Sequence, residues 1–272
     1  MGQTWCFAVA SARVDPERPG LANEWLEGDD RVVVVPLADP LALTTWALTR
    51  DGLEHVIFIG RAAHAPSMAV AANLLTGRLP DLQLNTSTWR TTTLSLAALS
   101  AQVHEATESA QEAVAQMQRL VPATWSAVWM PSVTGLTEPR PSFGQHLRSM
   151  MPGRPGYLAT LTPRMQVAPL QPTGGAPIVP GSTLIVGGRL REGDLDAVQR
   201  QAGVSHSVVL PAVEDGTSQY GSSEAVELVS MPEASGVQGG GAAGWCQVCR
   251  SPVWGEFCPF CRVAVVRYQG VA

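Results

Sequence analysis

Two Cys-x-x-Cys pairs, Cys246/Cys249 and Cys258/Cys261, lie eight residues apart near the end of this 272-residue chain. Each pair lets one tight turn present two thiolates. The spacer is long enough for a short hairpin to bring the two turns together, giving the four-sulfur tetrahedron that Zn²⁺ takes. Residues 245–272 are too few to bury a core of their own, so the ion must supply much of their folding free energy. Two disulfides in a secreted mini-domain would also fit the spacing. However, the N-terminus shows no basic start followed by an apolar stretch, so the expectation is a reduced, cytoplasmic protein that binds metal. The fifth cysteine, Cys6, falls in an expected strand and reads as a small buried hydrophobe.

This segment resembles a rubredoxin-type zinc ribbon. The resemblance implies a closed, structural site, because a catalytic zinc keeps a coordination position open.

Elsewhere the chain excludes more chemistry than it declares. All 18 basic residues are arginine. A P-loop lysine and any lysine Schiff base are therefore ruled out. There is no GxSxG elbow, no HExxH and no glycine fingerprint after an expected strand. His104 and Glu108 stand four apart on an expected helix, but beside the apolar stripe, and read as a solvated face. The most apolar stretch, 32–48, is broken by Pro36, Asp39 and Pro40, so no membrane span is expected.

Charge divides unevenly. Residues 245–272 hold three arginines against one glutamate, a net of +2; the remainder carries 15 arginines against 22 acids, a net of −7. An acidic body disfavours broad nucleic-acid binding. The small basic, aromatic tail leaves a nucleic acid or, preferably, a protein partner open to the ribbon. Between body and ribbon, residues 232–244 (PEASGVQGGGAAG) read as a flexible tether with a reach of roughly 20 Å.

Something must position these residues. The body, 1–231, alternates apolar runs with helical patterns: strands at 5–14, 31–37, 55–60, 82–86, 125–130, 157–161, 183–186, 207–210 and 226–229, and helices at 41–50, 66–77, 94–121 and 193–202. The block at 31–37 is β-branched, as in a strand covered on both faces. Residues 94–121 carry apolar side chains at three-four spacing and read as one long helix. Segments 131–156 and 162–181 read as loops. Strand–helix alternation predicts a Rossmann-like, mostly parallel sheet with flanking helices.

In such sheets ligands bind beyond the carboxyl ends of the strands. Those ends offer Asp39; Gly60, Arg61, His64 and Ser67; Thr86, Ser87, Thr88 and Arg90; and Ser132, Thr134, Gly135 and Thr137. Hydroxyls, glycines and arginines suit an anionic, nucleotide-like ligand. Arg61 and His64 are expected on an exposed loop that enters a helix N-terminus, a natural anion site.

The helix PSMAVAANLL, the strand ending at Thr86-Ser87 and the Ser-Val-Thr-Gly-Leu-Thr run at 132–137 together resemble the CARF and SAVED group of Rossmann-type cyclic-oligonucleotide sensors of prokaryotic defence. Leu136 and Glu138 depart from the Thr-Gly-Gly-Thr-Lys loop of some members. The resemblance implies a nucleotide-sensing body. The expectation is a small-anion binder or adaptor whose ribbon docks a partner. The alternatives are a nucleotide hydrolase or phosphodiesterase using Arg61 and His64, and a structural subunit of a larger assembly.

Overall fold

The computed structural model describes residues 4–12, 31–151, 156–171, 183–230 and 241–267. Most of the expected tether lies outside these residues.

The first sheet is fully parallel, in the order β2-β1-β3-β4: β1 (Thr4–Ser11), β2 (Val32–Pro36), β3 (Leu53–Arg61) and β4 (Gln83–Trp89). Alternation sorts its side chains onto two faces. Ala8, Ala10, Val56 and Phe58 pack on α1 (Ala42–Leu48) and α2 (Ala65–Arg78). Trp5, Phe7, Val9, Ile57 and Ile59 pack on α3 (Thr93–Ala106) and α4 (Ala110–Ala123).

The stretch expected as one helix is therefore two. Thr107 turns its hydroxyl back to the Val103 carbonyl at 2.7 Å, and the Ser109 hydroxyl accepts from the Glu112 amide at 3.3 Å. Ser109-x-x-Glu112 is a helix-start pattern, and it overrides the continuing apolar period. His104 is not solvated as expected; it is buried, stacked on Trp5 at 4.1 Å.

The second sheet has the order β7-β6-β5-β10-β8-β9: β5 (Trp125–Met130), β6 (Tyr157–Thr162), β7 (Gln166–Pro169), β8 (Leu184–Gly187), β9 (Ser207–Leu210) and β10 (Val226–Ser230). Only β8–β9 is parallel. The α/β class is as expected, but the parallel character belongs to the first sheet. The helix α5 (Phe143–Ser149) interrupts the expected loop, opened by a Ser142/Gln145 capping box. Helix α6 (Glu192–Ala202) covers one face of this sheet, and α7 (Gly216–Tyr220) leads toward β10.

Helix α3 is buried nearly all round and packs against β1, β2 and β10, so it joins the two sheets. The ribbon strands β11 (Gly244–Trp245), β12 (Pro252–Val253) and β13 (Val266–Arg267) form a third, antiparallel sheet. Its Val253 and Phe260 join the same apolar cluster as α3 and α4. Phe260 meets His55 edge-on at 4.8 Å, so the ribbon packs on the body.

Candidate functional site

Cys246, Cys249, Cys258 and Cys261 converge, with all ligand atoms within 4.8 Å of one another. The two knuckles repeat one geometry. Arg250 N donates to Cys246 O, and Arg262 N to Cys258 O, both at 2.9 Å. Arg250 and Arg262 both adopt left-handed backbone, φ 57° and 56°, which closes each turn over its sulfurs. Cys249 Sγ and Cys258 Sγ are 3.8 Å apart. That is far beyond a disulfide bond, and it equals the edge of a tetrahedron with ~2.3 Å metal–sulfur bonds, about 3.8 Å. Burial raises the Cys246 thiol, but amides of Cys249 and Val248 outweigh it and bring it to about 7. Burial and neighbouring sulfurs push Cys258 and Cys261 up. Four thiolates this close repel, and a divalent cation relieves that repulsion. The four cysteines can hold a metal ion.

The second cluster lies where the carboxyl ends of β1 and β3 meet the 213–220 segment of the second sheet's domain. Arg61 is the last residue of β3, not an exposed loop residue, and is 9% exposed. Its Nε donates to Thr91 O at 3.2 Å and its Nη1 to Gln219 Oε1 at 2.6 Å. Glu214 Oε2 lies 3.6 Å from the same nitrogen, and the Tyr220 ring lies 4.7 Å below the guanidinium. His64 ends a 3₁₀ turn after Arg61; it is buried, makes no helix-capping bond, and places Nε2 3.6 Å from Glu214 Oε1. The Ala12 amide also donates to that oxygen, at 2.8 Å.

A second carboxylate completes the picture. Glu227, on β10, accepts from the Leu94 amide at 2.7 Å and the Thr93 amide at 3.3 Å, at the N-terminus of α3. Tyr220 Oη donates to it at 2.6 Å. Burial raises both carboxyls; for Glu227 the charge of Glu214 adds to this. Burial, then Arg61, lowers His64. Burial alone would lower Arg61, but Tyr220, Glu214 and Glu227 outweigh it and hold the guanidinium charged. Two buried carboxyls thus share one guanidinium, and the charge on Glu214 disfavours charge on Glu227.

Arg61 and His64, expected at a ligand-binding edge, lie together at the carboxyl end of β3, where both face the chain's own Glu214. The other expected residues do not gather there. Asp39 is exposed at the end of β2 and accepts from the Leu41 amide at 2.9 Å. Ser67 is exposed on α2. Packing favours glycine at Gly60, since a Cβ there would stand 2.9 Å from the Ala10 Cβ. Thr86 and Ser87 lie inside β4, which runs on to Trp89, and line a groove against α2. Thr134 is exposed, and Gly135 abuts the backbone of Gly221. Arg90 pairs with Glu138 at 3.6 Å on the surface.

Sequence reasoning missed Glu214, Gln219, Tyr220 and Glu227. Only Glu227 carried a signal, as a lone acid inside the apolar strand Val226–Ser230.

No family model and no curated relative matches this chain. Solved structures do. A stearic acid-binding protein from Eubacterium ventriosum superposes with a TM-score of 0.58 at 10% identity, over 86% of this chain and all of its own. A fatty acid-binding DegV family protein from Thermus thermophilus gives 0.57 at 12%, over 85% of this chain and 99% of its own. A DegV family protein from Eubacterium eligens, loaded with heptadecanoic acid, gives 0.53 at 13%, over 85% and 100%. The body therefore has the DegV fold, and this corrects the resemblance to the CARF and SAVED group. Among the described residues no helix is long and apolar enough to cross a membrane.

Proposed function

We propose that the body binds a small amphipathic carboxylate of the fatty-acid kind between its two sheets, and that the ribbon holds one structural Zn²⁺. The observation that carries the ligand reading is the stacking of Arg61 on Tyr220. Tyr220 belongs to the apolar cluster of Met130, Val133, Leu136, Tyr157 and Leu161. The cation therefore adjoins a buried apolar cluster, which supports a ligand with a charged head and an apolar tail. Over that sheet lies α5, tied by Gln145 Nε2 to Val167 O at 2.6 Å. None of its residues is buried, and Phe143, Leu147 and Met150 are exposed. The fatty acids in structures of the same fold support the same ligand class. Glu214 shows the chemistry Arg61 and His64 accept, and an incoming carboxylate takes its place as Glu214 gains a proton or swings away.

Titration with a fluorescent fatty acid tests this. Saturable binding near one equivalent is expected, lost in Arg61→Met and lost with the methyl ester of the same acid. Equal binding of acid and ester, or none of either, sinks the reading. The zinc reading is tested by metal analysis of protein purified without chelator, with about one equivalent expected and most of it lost in Cys258→Ser.

A second reading, that the ribbon docks a protein, rests on its own surface. Val248 is 66% and Phe257 61% exposed, side by side with Arg250 and Glu256 in sequence. Pull-down through residues 245–272 alone, abolished by Phe257→Ser, tests it.

A further inference from the structure

The four outer strands of the two large sheets are not protected alike. β2 ends in Pro36 and β7 in Pro169, while β9 is four residues long and runs into Pro211. These are the usual devices against pairing with another chain. β4 has none of them. It is seven residues, Gln83–Trp89, with no charge, no proline and an unbroken register on β3. Its residues favour extended structure, with three β-branched or aromatic side chains at Thr86, Thr88 and Trp89. Among the described residues no backbone group of this strand bonds to a strand on its outer side.

The outer side is also shaped. A groove of about 410 Å³ runs beside β4. One wall is α2, presenting Ala65, Met68, Ala69, Ala72, Asn73 and Thr76, of which the three alanines leave room. Leu84, Thr86, Ser87 and Thr88 form the floor, and Arg262 of the second knuckle closes the groove. Asn85 Nδ2 donates to Pro259 O at 2.9 Å, which fixes the knuckle against the strand. Arg262 is exposed and makes no ion pair with any described residue. Among the described residues nothing pairs with Arg262 or with the outer peptide groups of β4, and a cation beside such a row suits an extended chain bearing a carboxylate.

We infer that the outer edge of β4 takes up an extended, acidic peptide segment of a partner protein as an added strand, with Arg262 holding its acid. Main-chain pairing gives the affinity and Arg262 the selection, as in other strand-addition interfaces. The inference is independent of the fatty-acid reading, since the groove is lined by none of the residues around Glu214.

Selection of randomised heptapeptides displayed on phage, against the full-length, metal-loaded protein, provides the test. The expected winners carry Asp or Glu and lack proline in the paired stretch. A synthetic winner should slow amide hydrogen exchange at 83–89. Asn73→Trp, an exposed position that fills the groove, should abolish binding. Arg262→Glu should weaken it roughly tenfold, by removing one attraction and adding a repulsion. Both variants should keep the parent melting temperature. Winners without acids, protection elsewhere, binding that survives Asn73→Trp, or no enrichment overturns the inference. So does a doubled solution mass with the groove closed to peptides, which would assign the edge to a second copy of this chain.

Discussion

Asn85 reaches out of the edge strand β4 and donates its side-chain amide to the carbonyl of Pro259, 2.9 Å away, inside the Cys258/Cys261 turn. One bond thus joins the body to the turn that presents two of the four sulfurs. With Phe260 and Val253 packed in the body's apolar cluster, the cysteine cluster and the body share one core.

Removing the metal should therefore be felt by the whole protein. Chelation, or Cys258→Ser, frees Phe260 and Val253 from their packing. A loss of about 3 kcal/mol is expected from burial of two such side chains, together with new binding of a hydrophobic dye. A chain ending at Met231 should still unfold cooperatively, because both sheets keep their own cores, but at a lower temperature. Urea titration of the three forms checks this. Unchanged stability after chelation would detach the ribbon from the core.

Arg61→Ala should cost about 3–5 kcal/mol, because it leaves Glu214 and Glu227 buried without their cation. The sequence reading of an exposed loop arginine would have given almost nothing. The double variant Arg61→Met/Glu214→Gln should recover much of the loss, since both charges go together. Denaturation midpoints of the single and double variants decide it.

The pH dependence follows from the same cluster. Glu214 and Glu227 are held above the ordinary carboxyl value of 4.5. Above that value the unfolded chain releases protons that the folded chain keeps, so these groups make stability fall as pH rises from 4.5 toward their folded values. His64 and His55 are held below 6.5, chiefly by burial. The unfolded chain takes up their protons first, so their contribution is lost as pH falls below 6.5. The two effects oppose each other between 4.5 and 6.5. Glu214→Gln removes one carboxyl and relieves the other, so its stability should rise more steeply with pH in that window. Parallel slopes for the two proteins would contradict the assignment.

Gly221→Ala should be severe for a small change. Gly221 has φ +72°, and a Cβ there would stand 2.5 Å from the Gly135 backbone. Strain and overpacking together should cost about 2 kcal/mol or more. Gly193→Ala, with open space around it, is the control. Thermal melts of both variants compare them.

The cysteine cluster was legible because two Cys-x-x-Cys pairs at this spacing have few uses other than to converge. The parallel sheet was legible because Val32–Pro36 and the apolar part of β3 are uniform runs, and a uniform run has little else to do than be covered twice. Arg61 and His64 were found by position, at the carboxyl end of a strand. Their partners were not, because Glu214 and Gln219 lie 150 residues or more away, just before and within the short helix α7, with no pattern to mark them. Pairing over such separations depends on the docking of the two sheets, which no local period encodes. The strand expected to end at Thr86 runs on to Trp89 for a local reason: hydroxyl-rich residues read as a strand's end, whereas an edge strand tolerates them.

The last body strand, β10, enters the middle of its sheet, between β5 and β8. During synthesis those two neighbours must wait, each with an open edge, until residues 226–230 have left the ribosome. The N-terminus of α3 also waits, since its cap Glu227 arrives on that same strand. The nascent chain is thus at its most aggregation-prone just before β10 emerges. A truncation before Val226 should show that exposure as chaperone dependence, and one after Ser230 should escape it.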